Sequence, residues 1–258
     1  MCFLRQNKYI ISVVLITLLA IIYRFAAYIC NAPFGGDEAN LVIPLIQHSY
    51  KNILFVYDEL GELAPPLFFF AEKIITNIFG ISEYSVRIIP FVSSVISCVL
   101  YYFFCERLLN RGGSKLFALL MFSLSSPLIF FAGFYKPYSS EVAVSMIALY
   151  ILCFKVDFKD KSPRFYFAVS LFCLLCFLAS YQSVFIIYSC LTILLLHNFL
   201  FEKNMQTLKN ILRLTAFNSI YLLLYYHFFL YKMRTQIHLN YLWTTDYSFF
   251  PDTWKDLG

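Results

Sequence analysis

Two adjacent acidic residues, Asp37 and Glu38, follow the first long apolar segment, in the sequence GGDEA at 35–39. Adjacent carboxylates repel each other, and partial desolvation at a membrane interface also favours proton uptake. These properties suit a general base, so both residues are candidate catalytic groups. The alternative is structural, with Asp37 capping a helix and Glu38 in its first turn, where the helix dipole stabilises negative charge.

A second group of candidate residues lies in the sequence YKPYSSE at 135–141. Lys136 offers a positive charge to a phosphate, Tyr138 offers an aromatic face and a hydroxyl, and Glu141 enters the next helix. Arg87 is a further candidate, because a guanidinium binds phosphate through two parallel hydrogen bonds. The alternatives are an ion pair between Lys136 and Glu141 that closes the turn, and an Arg87 that reaches the lipid headgroups.

The composition indicates a membrane protein with several spans. Of the 258 residues, 60% are hydrophobic and 14% are charged, whereas a soluble domain carries about 25% charged residues. A disordered chain, a secreted disulfide scaffold and an ordinary soluble domain are therefore excluded. The eight cysteines lie mostly in apolar runs, so we interpret Cys173 and Cys176 as packing residues and not as a redox or metal pair.

Seven apolar segments are candidates to cross a membrane, which takes about 20 residues per helix. They are 10–30, 84–105, 116–131, 142–154, 165–180, 183–200 and 211–231. The segment 65–79 is short, and we interpret it as an amphipathic helix in the interface, with Glu72 and Lys73 on its polar side. Such a helix either anchors the chain or walls a groove through which lipid enters.

The basic residues set the expected orientation. With the N-terminus in the cytoplasm, the four inner segments hold 12 of the 20 Lys and Arg residues, as the positive-inside rule requires. The expected fold is an all-α polytopic membrane protein with about seven transmembrane helices, formed as a single domain over 1–258. Its long first outer loop covers 31–83 and carries interfacial helices. A further outer segment covers 232–258, where we expect the chain to be truncated.

The order of these motifs resembles the GT-C superfamily of membrane glycosyltransferases. The matching motifs are DEA at 37–39, APPLF and EK within 64–73, FG, SEY and R within 79–87, and SP and KPYSSE within 126–141. The resemblance covers roughly 10–188. It is closest to the branch of protein O-mannosyltransferases, the aminoarabinose transferase of lipid A and relatives of rhizobial lipopolysaccharide transferases. Two positions depart: the aminoarabinose branch has Lys at Ala64, and Arg is common at Lys136.

The resemblance implies an enzyme of the cell envelope in the inner membrane. It implies transfer of a sugar from a polyprenyl-phosphate donor to a glycan, lipid or protein acceptor on the extracytoplasmic face. Asp37 would be the general base, with Glu38 beside it. Arg87 and Lys136 would hold the donor phosphate, with Tyr138 and Glu141 in the same donor site. The resemblance also implies a longer full-length protein.

No cofactor is expected, because the sequence has no cluster of metal ligands, although a divalent cation on the Asp37–Glu38 pair stays open. No nucleic-acid partner is expected. Two alternatives to the transferase remain. One is a flippase or permease for lipid-linked glycans, which requires polar residues in the middle of the membrane. The other is an inactive, truncated remnant of an enzyme.

Overall fold

The structure, a computed structural model, describes residues 2–30, 32–50, 64–156, 158 and 162–227, with side chains from residue 7 onward. Every regular element among these residues is a helix, which confirms the predicted all-α class. The predicted outer segment 232–258, and residues 31 and 51–63 of the first loop, lie outside the described residues.

Ten α-helices are labelled in chain order. They are α1 Cys2–Ile29, α2 Gly36–Gln47, α3 Pro66–Phe79, α4 Ile88–Leu108, α5 Gly112–Ser123, α6 Ser126–Phe130, α7 Tyr138–Phe154, α8 Pro163–Ala179, α9 Gln182–His197 and α10 Met205–Tyr225, all within the described part of the chain. Short 3₁₀ turns precede α4 at Ser85–Arg87 and follow α6 at Phe131–Gly133. A π-helical turn, Asn198–Glu202, extends α9.

Several of these helices are able to cross a membrane. Within the described residues, Asn7–Ile29, Ser85–Leu108 and Gln182–Glu202 are long and apolar enough to do so. The bent pair Gly112–Ser123 and Ser126–Gly133 makes a fourth if it forms one span, and α7 and α8 are shorter apolar helices. The fold is therefore that of a membrane protein, and the number of seven spans stays a prediction.

Contacts along α1 show how the first helices are arranged. Tyr9 donates a hydrogen bond to Glu106, whereas Arg24, farther along α1, donates to Ser94, so α1 and α4 run antiparallel. Helix α4 packs against α7, α7 packs against α9, and α8 packs against α10. Cys173 and Cys176 are buried in the apolar core of α7–α10, as the packing interpretation predicts.

The predicted span 116–131 is not one continuous helix. Helix α5 ends at Ser123 and α6 begins at Ser126, and the chain bends by 52° at this break. Pro127 accounts for the break, because a proline has no amide hydrogen to donate to the carbonyl four residues earlier, that of Ser123. If 116–131 crosses the membrane, as the sequence predicts, it does so as a broken span.

A second apolar core covers one end of the bundle, which we call the site end. It joins α2, α3 and the turn after α6, and its buried members include Leu41, Leu45, Phe68, Phe69, Val86 and Tyr135. Pro66 starts α3 at the first position, where its fixed φ is favourable and no amide hydrogen is needed. At 14 residues, α3 is too short to cross a membrane. Its position in the interface stays a prediction.

Candidate active site

A buried ion pair between Glu38 and Arg87 holds the site end together. Nη2 of Arg87 lies 2.9 Å from Oε1 and 3.0 Å from Oε2 of Glu38, and Nε lies 3.1 Å from Oε1. Both side chains are 1% exposed. Nη1 of Arg87 donates to the carbonyl of Ala32 at 2.7 Å. This two-point geometry is the form in which a buried pair recovers the free energy lost on leaving water.

Glu38 also binds two main-chain amides, so it joins three segments of the chain. The amide of Gly35, the N-cap residue of α2, donates to Oε2 at 3.2 Å, which is the glutamate half of a capping box. The amide of Tyr135 donates to Oε1 at 2.6 Å. Glu38 therefore fixes the start of α2, the residue before α4 and the turn before α7 in one arrangement.

Asp37 points away from this buried pair and lies beside Lys136. Nζ of Lys136 is 3.6 Å from Oδ2 of Asp37. The Asp37 side chain is 69% exposed, whereas that of Lys136 is 6% exposed. The two neighbouring acids therefore have different environments: Glu38 is enclosed by hydrogen-bond donors, and Asp37 presents its carboxylate to the outside next to a largely buried cation. An accessible carboxylate of this kind is able to take a proton from a bound hydroxyl.

Tyr138 and Glu141 line a groove between α7 and α9. Glu141 is buried, and its Oε1 accepts a hydrogen bond from the amide of Tyr181 at 2.9 Å. The groove has a volume of about 340 Å³, and its lining is mainly apolar. Its lining residues are Tyr138, Glu141, Val142, Ser145, Met146, Leu149, Gln182 and Ile186. Asp37 and Lys136 are not among them.

Glu72 occupies a different position from the one predicted for it. It was expected on the polar side of α3, but it is fully buried, and neither of its carboxylate oxygens has a hydrogen-bond partner among the described residues. Burial raises the pKa of Glu72 well above its usual range. Its spacing gives the signal, because Glu72 follows the buried Phe68 by four residues and so lies on the same face of α3.

The hydroxyl of Tyr135 is a second buried polar group close to Glu72. It is without a hydrogen-bond partner in the described part of the chain, and the Tyr135 ring stacks on Phe68 with centroids 5.8 Å apart. Burial, and to a smaller extent the charge of Glu72, raises the pKa of Tyr135. The segment around Tyr135 is identifiable from the sequence, but neither this side chain nor its amide was predicted to have a role.

The six candidate residues thus fall into three neighbouring groups at the site end. Asp37 is next to Lys136, Glu38 is bound to Arg87, and Tyr138 and Glu141 line the groove. The predicted closing ion pair between Lys136 and Glu141 is not the pair that forms, since Lys136 faces Asp37. Three or more His, Cys, Asp or Glu side chains do not gather into a metal-binding group within the described residues.

The fold and the site together define a helical membrane protein with an acidic and basic cluster at one end of its bundle. Residues 64–229 match the family model described as dolichyl-phosphate-mannose-protein mannosyltransferase. This match covers more than half of the chain, so the chain belongs to that family and is a membrane glycosyltransferase. The matched region contains Arg87, Lys136, Tyr138 and Glu141, and it begins after Asp37 and Glu38. Neither a curated protein nor a solved structure matches the chain.

Proposed function

We propose that the protein transfers a sugar from a polyprenyl-phosphate donor to a hydroxyl group of a glycan, lipid or protein acceptor on the extracytoplasmic face. The observation that carries this proposal is the contact between the exposed Asp37 carboxylate and the Lys136 ammonium, 3.6 Å apart at the site end. Family membership supports the reaction class, and the contact supports the assignment of the two groups.

Asp37 is the general base in this proposal. The acceptor hydroxyl gives its proton to Asp37 while its oxygen attacks the anomeric carbon of the donor sugar. The bond between that carbon and the phosphate oxygen breaks, and polyprenyl phosphate leaves with the bonding electrons. Lys136 stabilises the negative charge that develops on the leaving phosphate, an effect that is strong where water is largely excluded. Attack from the face opposite the phosphate inverts the anomeric configuration.

Glu38 and Arg87 support this chemistry by holding its parts in place. Every hydrogen-bonding nitrogen of Arg87 already binds Glu38 or the carbonyl of Ala32, and both side chains are buried. A direct role for Arg87 on the phosphate, or for Glu38 in proton transfer, requires this pair to open. We therefore assign the pair to positioning, because it links the residue after Asp37 to the residue before Lys136.

The groove between α7 and α9 is suited to the apolar tail of the donor. It runs from Tyr138 to Leu149, a distance of about 16 Å at the rise of an α-helix. Its polar residues lie mainly at the starts of α7 and α9, near the turn that carries Lys136, and its apolar residues continue along the helices. An amphiphile with a phosphate head and a hydrocarbon tail has the same order of polarity.

The charge distribution supports an extracytoplasmic site. The end of the bundle opposite the site end holds the start of α1, the loop from α4 to α5 and the start of α10. Its basic residues include Lys8, Arg107, Arg111, Lys115, Lys203 and Lys209. Because Lys and Arg concentrate on the cytoplasmic side of membrane proteins, the opposite end, with Asp37, faces outward.

The donor class is tested with purified protein in proteoliposomes. We supply hexoses and pentoses either on polyprenyl phosphate or on nucleotides, and detect the glycosylated acceptor by mass spectrometry. The proposal predicts transfer from the polyprenyl-phosphate donors alone. Transfer from a nucleotide sugar in the absence of any polyprenyl donor contradicts it. Movement of a lipid-linked sugar across the bilayer without transfer supports the permease alternative instead.

A further inference from the structure

Arg24 is a fully buried cation inside the helix bundle. Its Nε donates to Oγ of Ser94 at 2.9 Å, and its Nη1 donates to the carbonyl oxygens of Ala20 at 3.2 Å and Ser123 at 2.9 Å. Among the described residues, no carboxylate pairs with it. An arginine buried inside an apolar helix bundle is costly and is usually retained for a specific purpose.

The carbonyl oxygen of Ser123, which accepts a hydrogen bond from Arg24, indicates what Arg24 does. Ser123 is the last residue of α5, and its carbonyl would normally bind the amide of residue 127. Residue 127 is a proline and has no amide hydrogen. Arg24 supplies the missing donor from α1. Ser94 then donates to the carbonyl of Leu128 at 3.2 Å, so Arg24 and Ser94 together bind both sides of the break between α5 and α6.

The direction of the chain after this break determines where the candidate site lies. Gly133, which ends the 3₁₀ turn after α6, packs so closely on α1 that a Cβ there would overlap the carbonyl of Ala27. Two residues later the amide of Tyr135 binds Glu38, and Lys136 lies beside Asp37. The path from Ser123 to Lys136 is thus held against α1 at the break and at Gly133, before it reaches the site.

We propose that Arg24 is a positioning residue, which sets the bend between α5 and α6 and thereby places the turn that carries Lys136 next to Asp37. The importance of this placement for sugar transfer rests on the proposed function, but the placement of the turn itself does not. Arg24 acts without touching substrate, through the carbonyl that Pro127 leaves without a donor. Its loss is therefore expected to loosen residues 131–136 selectively while the core of α7–α10 stays closed.

Amide hydrogen exchange measured by mass spectrometry, in lipid nanodiscs, tests this placement without any transfer assay. In Arg24→Met, exchange in peptides covering 131–136 should rise about tenfold or more, while peptides from α8 and α9 keep the wild-type rate. Arg107→Met, which removes an exposed arginine at the opposite end, is the matched control and should change neither region. Wild-type exchange at 131–136 in a folded Arg24→Met protein overturns the proposal.

Ser94→Ala keeps the buried charge of Arg24, and it is the second test variant if Arg24→Met does not fold. It removes the donor to Leu128 and one acceptor of Arg24, so it should raise exchange at 131–136 by a smaller factor. An unchanged rate in this variant also overturns the proposal. If the wild-type protein shows no sugar transfer at all, the proposed function fails, and the exchange result still decides the role of Arg24.

The double variant Arg24→Met/Pro127→Ala distinguishes two roles for Arg24. In one role Arg24 sets the bend between α5 and α6, and in the other it only donates a hydrogen bond to the carbonyl of Ser123. An alanine in place of Pro127 returns an amide donor to the carbonyl of Ser123, so the thermal stability lost in Arg24→Met should recover. The bend is no longer imposed, and the fast exchange at 131–136 should therefore persist. Recovery of both the stability and the wild-type exchange rate contradicts positioning and shows that Arg24 only satisfies the Ser123 carbonyl.

Discussion

The main-chain amide of Tyr135 donates a 2.6 Å hydrogen bond to Oε1 of Glu38, the same oxygen that the Arg87 guanidinium binds. The two residues are 97 positions apart in the chain, so this bond closes the site end between α2 and the turn before α7. Their chain neighbours Asp37 and Lys136 are brought within 3.6 Å of each other as a consequence. The buried bond thus organises the accessible pair that we assign to chemistry.

Breaking the Glu38–Arg87 pair from either side should strongly destabilise the protein. Arg87→Met leaves a buried carboxylate without its counter-ion, and a loss of about 3–5 kcal/mol in the free energy of unfolding is expected. Denaturant titration in detergent measures it. Lys115→Met, which breaks the more exposed pair with Glu106, is the control and should cost about 1 kcal/mol or less. Equal losses in the two variants would contradict the buried pair.

Glu72 should make stability fall as the pH rises. Burial raises its pKa in the folded state above the unfolded value of about 4.3, so the folded protein keeps a proton that the unfolded chain releases. The stability is therefore complete below the unfolded pKa and declines as the pH rises toward the folded pKa. Glu72→Gln removes this titrating group, so it should flatten the slope and raise the stability at neutral pH above that of the wild type.

Thermal unfolding in detergent from about pH 4 to pH 9 measures the effect of Glu72→Gln. Glu83→Gln, at an acid outside the core near the start of α4, is the matched control and should leave the slope as it is in the wild type. A slope that is the same in Glu72→Gln and in the wild type would show that Glu72 does not keep its proton in the folded protein.

Lys136 should be required for its charge. Lys136→Met removes the cation next to Asp37, and kcat/KM for sugar transfer should fall about a hundredfold. Lys136→Arg keeps the charge and should retain most of the activity. Lys155→Met, which removes a lysine at the end of α7 far from the turn, is the control. If Lys136→Met transfers sugar as fast as Lys155→Met, Lys136 has no role in the mechanism.

The groove between α7 and α9 should distinguish donors by the length of their tails. Met146→Trp fills the middle of the groove, so KM should rise at least about tenfold for a long polyprenyl donor and stay nearly constant for a short one. Ile193→Trp, on an exposed position of α9, is the control for added bulk. Equal effects of Met146→Trp on long and short donors would place the tail elsewhere.

The sequence predicted the all-α membrane class of the fold, and it placed Asp37 and Lys136 at the same end of the molecule, where they lie 3.6 Å apart. Composition and apolar length indicate helices in a membrane, and alternating spans place the segments after α1 and before α7 at the same end. Side-chain pairing was not predictable in the same way. Lys136 was expected to pair with Glu141, whereas it faces Asp37, because the Tyr135 amide is bound to Glu38 and so turns Lys136 toward α2.

Glu72 and Arg24 show where general rules about charge fail. Glu72 was expected on the polar side of its helix, yet both residues are fully buried. Phe68 and Phe69 precede Glu72 by four and three residues, so they indicate that Glu72 lies on the buried face of α3. Pro127 indicates that the carbonyl of Ser123 lacks a helical hydrogen-bond donor. Neither feature of the sequence identifies the residue that forms the contact. Ser123 and Arg24, for example, lie 99 residues apart and come into contact only in the packed bundle.

The role of Asp37 is tested most directly by the transfer rate of Asp37→Asn with a polyprenyl-phosphate sugar that the wild-type protein uses. Asparagine keeps the shape of the side chain but cannot take the proton of the acceptor hydroxyl. We predict that kcat falls about a hundredfold or more, with unfolding temperature and donor binding unchanged, while Glu83→Gln keeps wild-type kcat. A kcat for Asp37→Asn within about twofold of the wild type would contradict the account, since general-base catalysis contributes far more than that.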